Sequence, residues 1–79
     1  PMIAFPNPFG EGFTLKSDRN SADLVTVKVY DMLGKVIEQR QVIASELSKQ
    51  ELGTSYQSGL YNVTVLQGNQ QQTIRVIKK

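Results

Sequence analysis

The sequence predicts an all-β fold, a sandwich of about seven short antiparallel strands. Several segments alternate apolar and polar residues, which is typical of strands with one buried face. Turn residues separate these segments about every eight to twelve residues, as they do in sandwiches. A tyrosine, Tyr61, also stands two residues before an apolar strand position, Val63, a placement that recurs at sandwich corners.

The clearest strand covers residues 25–30, in which three valines share one face. Segments 60–65 and 73–77 repeat the pattern, and segment 12–16 shows it over a shorter length. Residues 6–10 form a predicted turn, and residues 16–23 a polar loop. The residues predicted to face the core are Phe13, Leu15, Val25, Val27, Val29, Tyr61, Val63, Val65, Ile74 and Val76.

Glycines mark two predicted hairpin turns. Gly68 lies between the last two strands, which should therefore pair antiparallel. Asp31 can cap a type I turn in which Gly34 takes the left-handed position, and this turn leads into a strand over residues 35–43. That strand has an apolar doublet near each end, so simple alternation fails and predicts a bulge or an exposed hydrophobic residue.

The segment 45–52 has two possible structures. It can form a helical turn with Ser45 as N-cap, or a short edge strand near residues 50–52. We favour the edge strand.

Tyr61 makes the sandwich prediction more specific. In immunoglobulin-like sandwiches, a tyrosine two residues before the core position that opens the penultimate strand often bonds back across the corner. Tyr61 before Val63 occupies that place, and the usual cysteine is here a valine. We therefore predict an immunoglobulin-like β-sandwich whose core is held by apolar packing alone.

The composition argues against catalysis. The chain has no Cys, His or Trp, which excludes disulfide frameworks, zinc fingers and histidine-based catalysis. Asp18, Asn20 and Asp23 offer oxygen atoms to a metal, but their spacing lacks the glycine and glutamate of a calcium loop. The net charge of +2 is scattered along the chain, so neither nucleic acid nor a membrane surface is an expected partner. We expect no enzyme, no metal and no cofactor.

Four motifs, taken together, resemble a known family. They are Phe5-Pro6-Asn7-Pro8-Phe9, Val25-Thr26-Val27-Lys28-Val29-Tyr30-Asp31-Met32-Leu33-Gly34-Lys35-Val36, Ser58-Gly59-Leu60-Tyr61-Asn62-Val63 and Arg75-Val76-Ile77-Lys78-Lys79. Their order and spacing, over nearly the whole chain, resemble the type A C-terminal sorting domain of the type IX secretion system. Two departures occur. Phe5 replaces the family's usual tyrosine, and residues 55–58 replace a Leu-Pro-Ala-Gly-like segment, so the loop before Gly59 loses a stiffening proline.

The resemblance implies that residues 1–79 are a single sorting domain, a fragment of a larger secreted precursor. In this family the passenger and its domain reach the periplasm, and an outer-membrane translocon recognises the folded domain. A sortase-like peptidase on the cell surface then removes the domain, and the passenger is released or attached to an anionic lipopolysaccharide. The expected partners are the translocon, the peptidase and the upstream passenger, without direct membrane insertion, in a Gram-negative host of the Bacteroidetes group.

The last strand is the expected recognition surface. A partner can recognise a folded sorting domain through a short terminal motif or by adding a strand to a sheet edge. The sequence does not decide between these two modes. The expected recognition residues are Thr73, Ile74, Arg75, Val76, Ile77, Lys78 and Lys79. The motif residues expected to be structural are Pro6, Asn7, Pro8, Asp31, Gly34, Gly59 and Tyr61.

A different function is the alternative. Tyr30 and Tyr56 could stack on a sugar, which would make the domain an accessory immunoglobulin-like module that binds glycan or a surface protein. Such a module would remain in the mature protein, whereas a sorting domain is removed.

Overall fold

The structure, a computed structural model, describes residues 2–17 and 22–79. These residues form two antiparallel sheets, one of two strands (β1-β2) and one of four strands in the order β4-β3-β5-β6. The predicted all-β class and small antiparallel sandwich are confirmed. The six strands are β1 (Met2–Phe5), β2 (Thr14–Ser17), β3 (Leu24–Tyr30), β4 (Val36–Ile43), β5 (Gly59–Gln67) and β6 (Gln70–Lys78), and a 3₁₀ helix covers Ala44–Lys49.

The core lies between the two sheets. Nine of the ten predicted core residues are buried, and the tenth, Ile74, is partly buried and packs against them. Three further buried hydrophobic side chains lie outside the predicted set: Phe9, Leu47 and Leu52. The sequence places Phe9 in a turn segment, but its side chain is fully buried.

The turn between β3 and β4 forms as predicted. Asp31 Oδ1 accepts hydrogen bonds from the backbone N–H groups of Leu33 (2.9 Å) and Lys35 (3.0 Å). Gly34 has a φ of 85°, and its N–H donates to the Asp31 carbonyl at 3.0 Å. The carboxylate therefore fixes the turn from inside, and glycine supplies the left-handed residue that the turn needs.

Both irregularities predicted for β4 occur. Its register against β3 steps from Val29 opposite Glu38 to Tyr30 opposite Val36, which leaves Ile37 as the extra residue of a bulge. Val36 and Ile37 are also exposed, at 43% and 38% of their surface. Beyond the bulge, Glu38 and Arg40 take the less exposed face of this edge strand.

The favoured structure for residues 45–52 is wrong over most of its length. Ala44–Lys49 forms the 3₁₀ helix because this turn buries Leu47 in the core. The residue at the N-cap position is Ile43, without a side-chain cap, so Ser45 does not cap the helix. The predicted edge strand is reduced to one antiparallel bridge, in which Leu52 exchanges backbone hydrogen bonds of 2.8 and 2.9 Å with Phe13.

The hairpin between β5 and β6 also forms as predicted. Gln67 lies opposite Gln70, and Gly68 between them has a φ of 60°. β6 is thereby placed at the edge of the four-stranded sheet, with β5 on one side only.

Candidate recognition surface

The predicted recognition residues alternate between the core and the surface of β6. Val76 is fully buried and Ile74 packs against the core, so these two side chains are not available on the folded surface. Lys78 is partly exposed. The exposed members of the set are Thr73, Arg75, Ile77 and Lys79.

Asn7 covers the outer edge of β6. Its Nδ2 donates to the Arg75 carbonyl at 3.0 Å, and its Oδ1 accepts from the Ile77 N–H, also at 3.0 Å. The side-chain amide thus pairs with β6 as a backbone amide of a neighbouring strand would.

The backbone of Phe9 continues this pairing. Phe9 N–H donates to the Ile77 carbonyl at 2.8 Å, and Lys79 N–H donates to the Phe9 carbonyl at 3.0 Å. On the other side, the Ser58 hydroxyl donates to the Lys79 carbonyl at 2.7 Å. The last residues of the sequence are therefore held by the segment at residues 7–9 and by Ser58.

Phe9 is itself anchored by aromatic packing. Its ring lies 4.8 Å from that of Phe13 and 6.2 Å from that of Tyr56, measured between centroids. Gly53 lies against both phenylalanine rings, since a Cβ at this position would be 2.8 Å from Phe9 Cε2 and 3.0 Å from Phe13 Cε1. This close approach requires a glycine.

Tyr61 makes the predicted corner bond. Its hydroxyl donates to the Gln57 carbonyl, four residues upstream, at 2.6 Å, and the tyrosine is buried. The bond ties the loop before Gly59 to the start of β5. Gly59, with a φ of 153°, lies opposite Lys78 and so opens the strand beside the last residues.

Tyr56 fixes the same loop in place of the family's proline. Its ring lies 4.8 Å from that of Tyr61, and its hydroxyl donates to Glu38 Oε1 at 2.6 Å. Burial raises the pKa of Tyr56 far above its usual range, and the bond to the Glu38 carboxylate raises it further. Because the ring packs against other aromatic rings, Tyr56 is not a free platform for a sugar.

Arg40, which is paired with Glu38, joins β4 to the residue after the 3₁₀ helix. Arg40 Nε donates to Glu38 Oε2 at 2.8 Å, and Arg40 Nη1 donates to Gln50 Oε1 at 3.1 Å. These half-buried polar side chains, with Tyr56, close the side of the sandwich at β4. Segment 7–9 closes the opposite side, at β6.

The candidate metal ligands lie only in part within the described residues. Asp18 and Asn20 lie outside the described residues, and Asp23 accepts a hydrogen bond from Gln67 at 3.3 Å. Over residues 2–17 and 22–79, no three His, Cys, Asp or Glu side chains are close enough to hold a metal ion. Helices in that part of the chain are all too short or too polar to cross a membrane.

Sequence reasoning did not predict the contacts through which Asn7, Phe9 and Gly53 organise the end of β6. Phe9 follows a proline and so resembles part of a turn, although its aromatic side chain is a signal for burial. Gly53 follows an apolar residue within a polar stretch. No neighbouring residue in the sequence indicates that the rings of Phe9 and Phe13 pack against this glycine. The contact between Asn7 and β6 joins residues 68 and 70 positions apart, and no local pattern reports such a distance.

Comparison with known families gives a match over almost the whole chain. A family model described as a secretion system C-terminal sorting domain matches residues 3–79, which includes both the Asn7 segment and all of β6. No curated protein matches the chain. The matched family consists of sorting signals and is not an enzyme family. The chain therefore belongs to the C-terminal sorting domains of the type IX secretion system.

Proposed function

We propose that this domain is the sorting signal that directs an upstream passenger through the type IX translocon across the outer membrane. The observation that carries the proposal is the family match over residues 3–79. After translocation, a sortase-like peptidase at the cell surface removes the domain from the passenger. The domain is then a substrate of the export machinery, which agrees with a sequence that has neither His nor Cys.

The end of β6 is the surface that the translocon recognises. Lys78 and Lys79 place two positive charges together, whereas other basic residues of the chain are scattered. Their side chains lie outside the core, so a partner can bind them while the sandwich stays closed. Arg75 and Ile77 present an exposed cation and an exposed apolar side chain next to them. Charge and apolar contact together support a short linear motif displayed by a rigid strand.

The test is export of a fluorescent passenger fused to this domain, in a host with a working type IX system. The intact fusion should reach the surface or medium, and Lys78→Ala/Lys79→Ala should accumulate in the periplasm. Denaturation of the double variant should be nearly unchanged, because exposed substitutions usually stay within about 0.5 kcal/mol. Fractionation of the cells measures the location of the passenger.

A control variant separates the position of the charges from their number. Lys16→Ala/Lys35→Ala removes two exposed cations elsewhere on the domain and should be exported normally. Deletion of residues 73–79 should abolish both folding and export, since it removes most of a paired strand. Retention of the intact fusion in the periplasm would refute the sorting function. Normal export of Lys78→Ala/Lys79→Ala would refute only the role of the lysines.

A further inference from the structure

We propose that Asn7 is a positioning residue of the export signal. Its carboxamide holds the outer edge of β6 at the residues that the translocon recognises. The inference rests on the proposed function and adds to it a residue about 70 positions away in the sequence. Asn7 does not itself contact the translocon in this proposal. It fixes the position of Ile77, Lys78 and Lys79 at the edge of the sheet.

The argument begins with the hydrogen bonds of the outer edge. Arg75 C=O, Ile77 N–H, Ile77 C=O and Lys79 N–H each have a partner in the segment at residues 7–9. Asn7 supplies the first two bonds through its side chain, and Phe9 supplies the last two through its backbone. The two Phe9 bonds form an isolated parallel bridge with Lys78, and the two Asn7 side-chain bonds continue the pairing along the outer edge of β6 as far as Arg75.

The flanking prolines explain why a side chain is needed. Pro6 and Pro8 have no N–H, so the backbone on either side of Asn7 cannot donate to a neighbouring strand. An asparagine carries one donor and one acceptor group at the end of a short side chain, and both are used here. An aspartate would keep only the acceptor, and an alanine would keep neither.

The position of the contact predicts a local effect. Asn7 is exposed, so its hydrogen bonds compete with water and contribute little to global stability. The other partner of this end of β6 is the first part of β5, where Gly59 lies opposite Lys78 and provides no side chain to pack. Strand ends fray unless they are held, so loss of the Asn7 bonds should loosen Ile77 and the lysines while the core stays closed.

The experiment combines amide hydrogen exchange on the 79-residue chain with export of the fluorescent fusion. In Asn7→Ala, exchange at Ile77 N–H should rise at least about tenfold, while amides of β6 that pair with β5 near Val63 keep their protection. Export should fall at least about fivefold, with the denaturation midpoint unchanged. The matched control is Asn69→Ala, which alters an exposed asparagine in the turn at the other end of β6. It should change neither the exchange at Ile77 N–H nor the export of the fusion.

Asn7→Asp provides the second variant. Its carboxylate still accepts from Ile77 N–H, so exchange at that amide should stay within about threefold of the unmodified domain and export should largely recover. If Asn7 only stabilised the fold, exchange at Ile77 N–H and export would change in proportion to the denaturation midpoint in both variants.

Each outcome decides between the two proposals. If the unmodified fusion is not exported, the sorting function itself fails and the role of Asn7 falls with it. If the unmodified fusion is exported and Asn7→Ala is exported equally well, the positioning role is wrong. It is also wrong if Ile77 stays protected in Asn7→Ala, or if all amides of β6 lose protection together, because Asn7 would then support the whole fold.

Discussion

Gly53 meets two separate requirements with one residue. Its φ of 81° lies in the left-handed region, and its Cα faces the rings of Phe9 and Phe13 at a distance that excludes a methyl group. Phe9 in turn carries the backbone that pairs with Ile77 and Lys79. A glycine in one loop therefore sets the position of the last strand through a phenylalanine from another.

A pair of alanine variants separates these two requirements. Gly34 has a similar φ of 85°, but a Cβ added there would meet no atom within 4 Å, so Gly34→Ala should cost only the backbone strain of about 1–2 kcal/mol. Gly53→Ala adds overpacking against two rings and should cost about 1–3 kcal/mol more. Urea denaturation of both variants measures the difference. Equal losses would mean that the rings move aside freely.

The hydroxyl of Tyr61 offers a second test at this scale. Tyr61→Phe removes the donor to the Gln57 carbonyl and keeps the buried ring, so the free energy of unfolding should fall by about 1 kcal/mol. Tyr30→Phe removes a hydroxyl from the more exposed face of β3 and should have little effect. An identical denaturation midpoint for Tyr61→Phe and the unmodified domain would show that the corner bond contributes nothing.

At the scale of the element, the loop at residues 53–58 is fixed by side chains that belong to other parts of the fold. Tyr56 donates to Glu38 on β4, Gln57 accepts from Tyr61 on β5, and Ser58 donates to Lys79. The family's proline would restrict this loop through its own ring. Here tertiary contacts do so, which explains how the sequence departs from the family pattern without losing the corner.

Tyr56 makes this loop sensitive to alkaline pH. Its pKa is raised in the folded state above the ordinary value of 10.0, so the folded state retains the phenolic proton after the unfolded state has lost it. The stabilising effect is therefore full below pH 10 and declines as the pH rises above that value. Denaturation between pH 8 and about 11.5 should show a steeper decline for the unmodified domain than for Tyr56→Phe. Parallel curves would contradict a buried, hydrogen-bonded phenol.

At the scale of the whole molecule, one small core has to hold the sandwich without a disulfide. A domain of this size has a stability margin of about 3–5 kcal/mol. Val27 lies on the central strand β3 and is buried, so Val27→Ala should cost about 2–3 kcal/mol through lost burial and the remaining cavity. Val36→Ala, at an exposed position of β4, should stay within about 0.5 kcal/mol. Similar midpoints for the two variants in chemical denaturation would remove Val27 from the core.

The parts of the fold that the sequence predicts are those with a local cause. β3 and β5 alternate because each has one buried face, and the turn at Asp31 is made by a carboxylate that bonds to its own neighbours. The helical turn at residues 44–49 is the less favoured of two predicted structures, because its cause is the burial of Leu47, which depends on strands distant in the sequence. The candidate site is predictable as a segment of β6, whereas its partner Asn7 is expected only to shape a turn, since that contact exists only in the folded chain.

Parts of both outer strands of the four-stranded sheet are poor templates for another chain. On β4 the bulge at Ile37 interrupts the edge, and the charged pair Glu38–Arg40 takes its inner face, two devices that oppose edge-to-edge pairing. On β6 the carboxamide of Asn7 and the backbone of Phe9 already occupy the last part of the edge. Copies of this domain should therefore resist edge-to-edge association through β4 and through the last part of β6, because the backbone groups that a further strand would need are interrupted or already paired there.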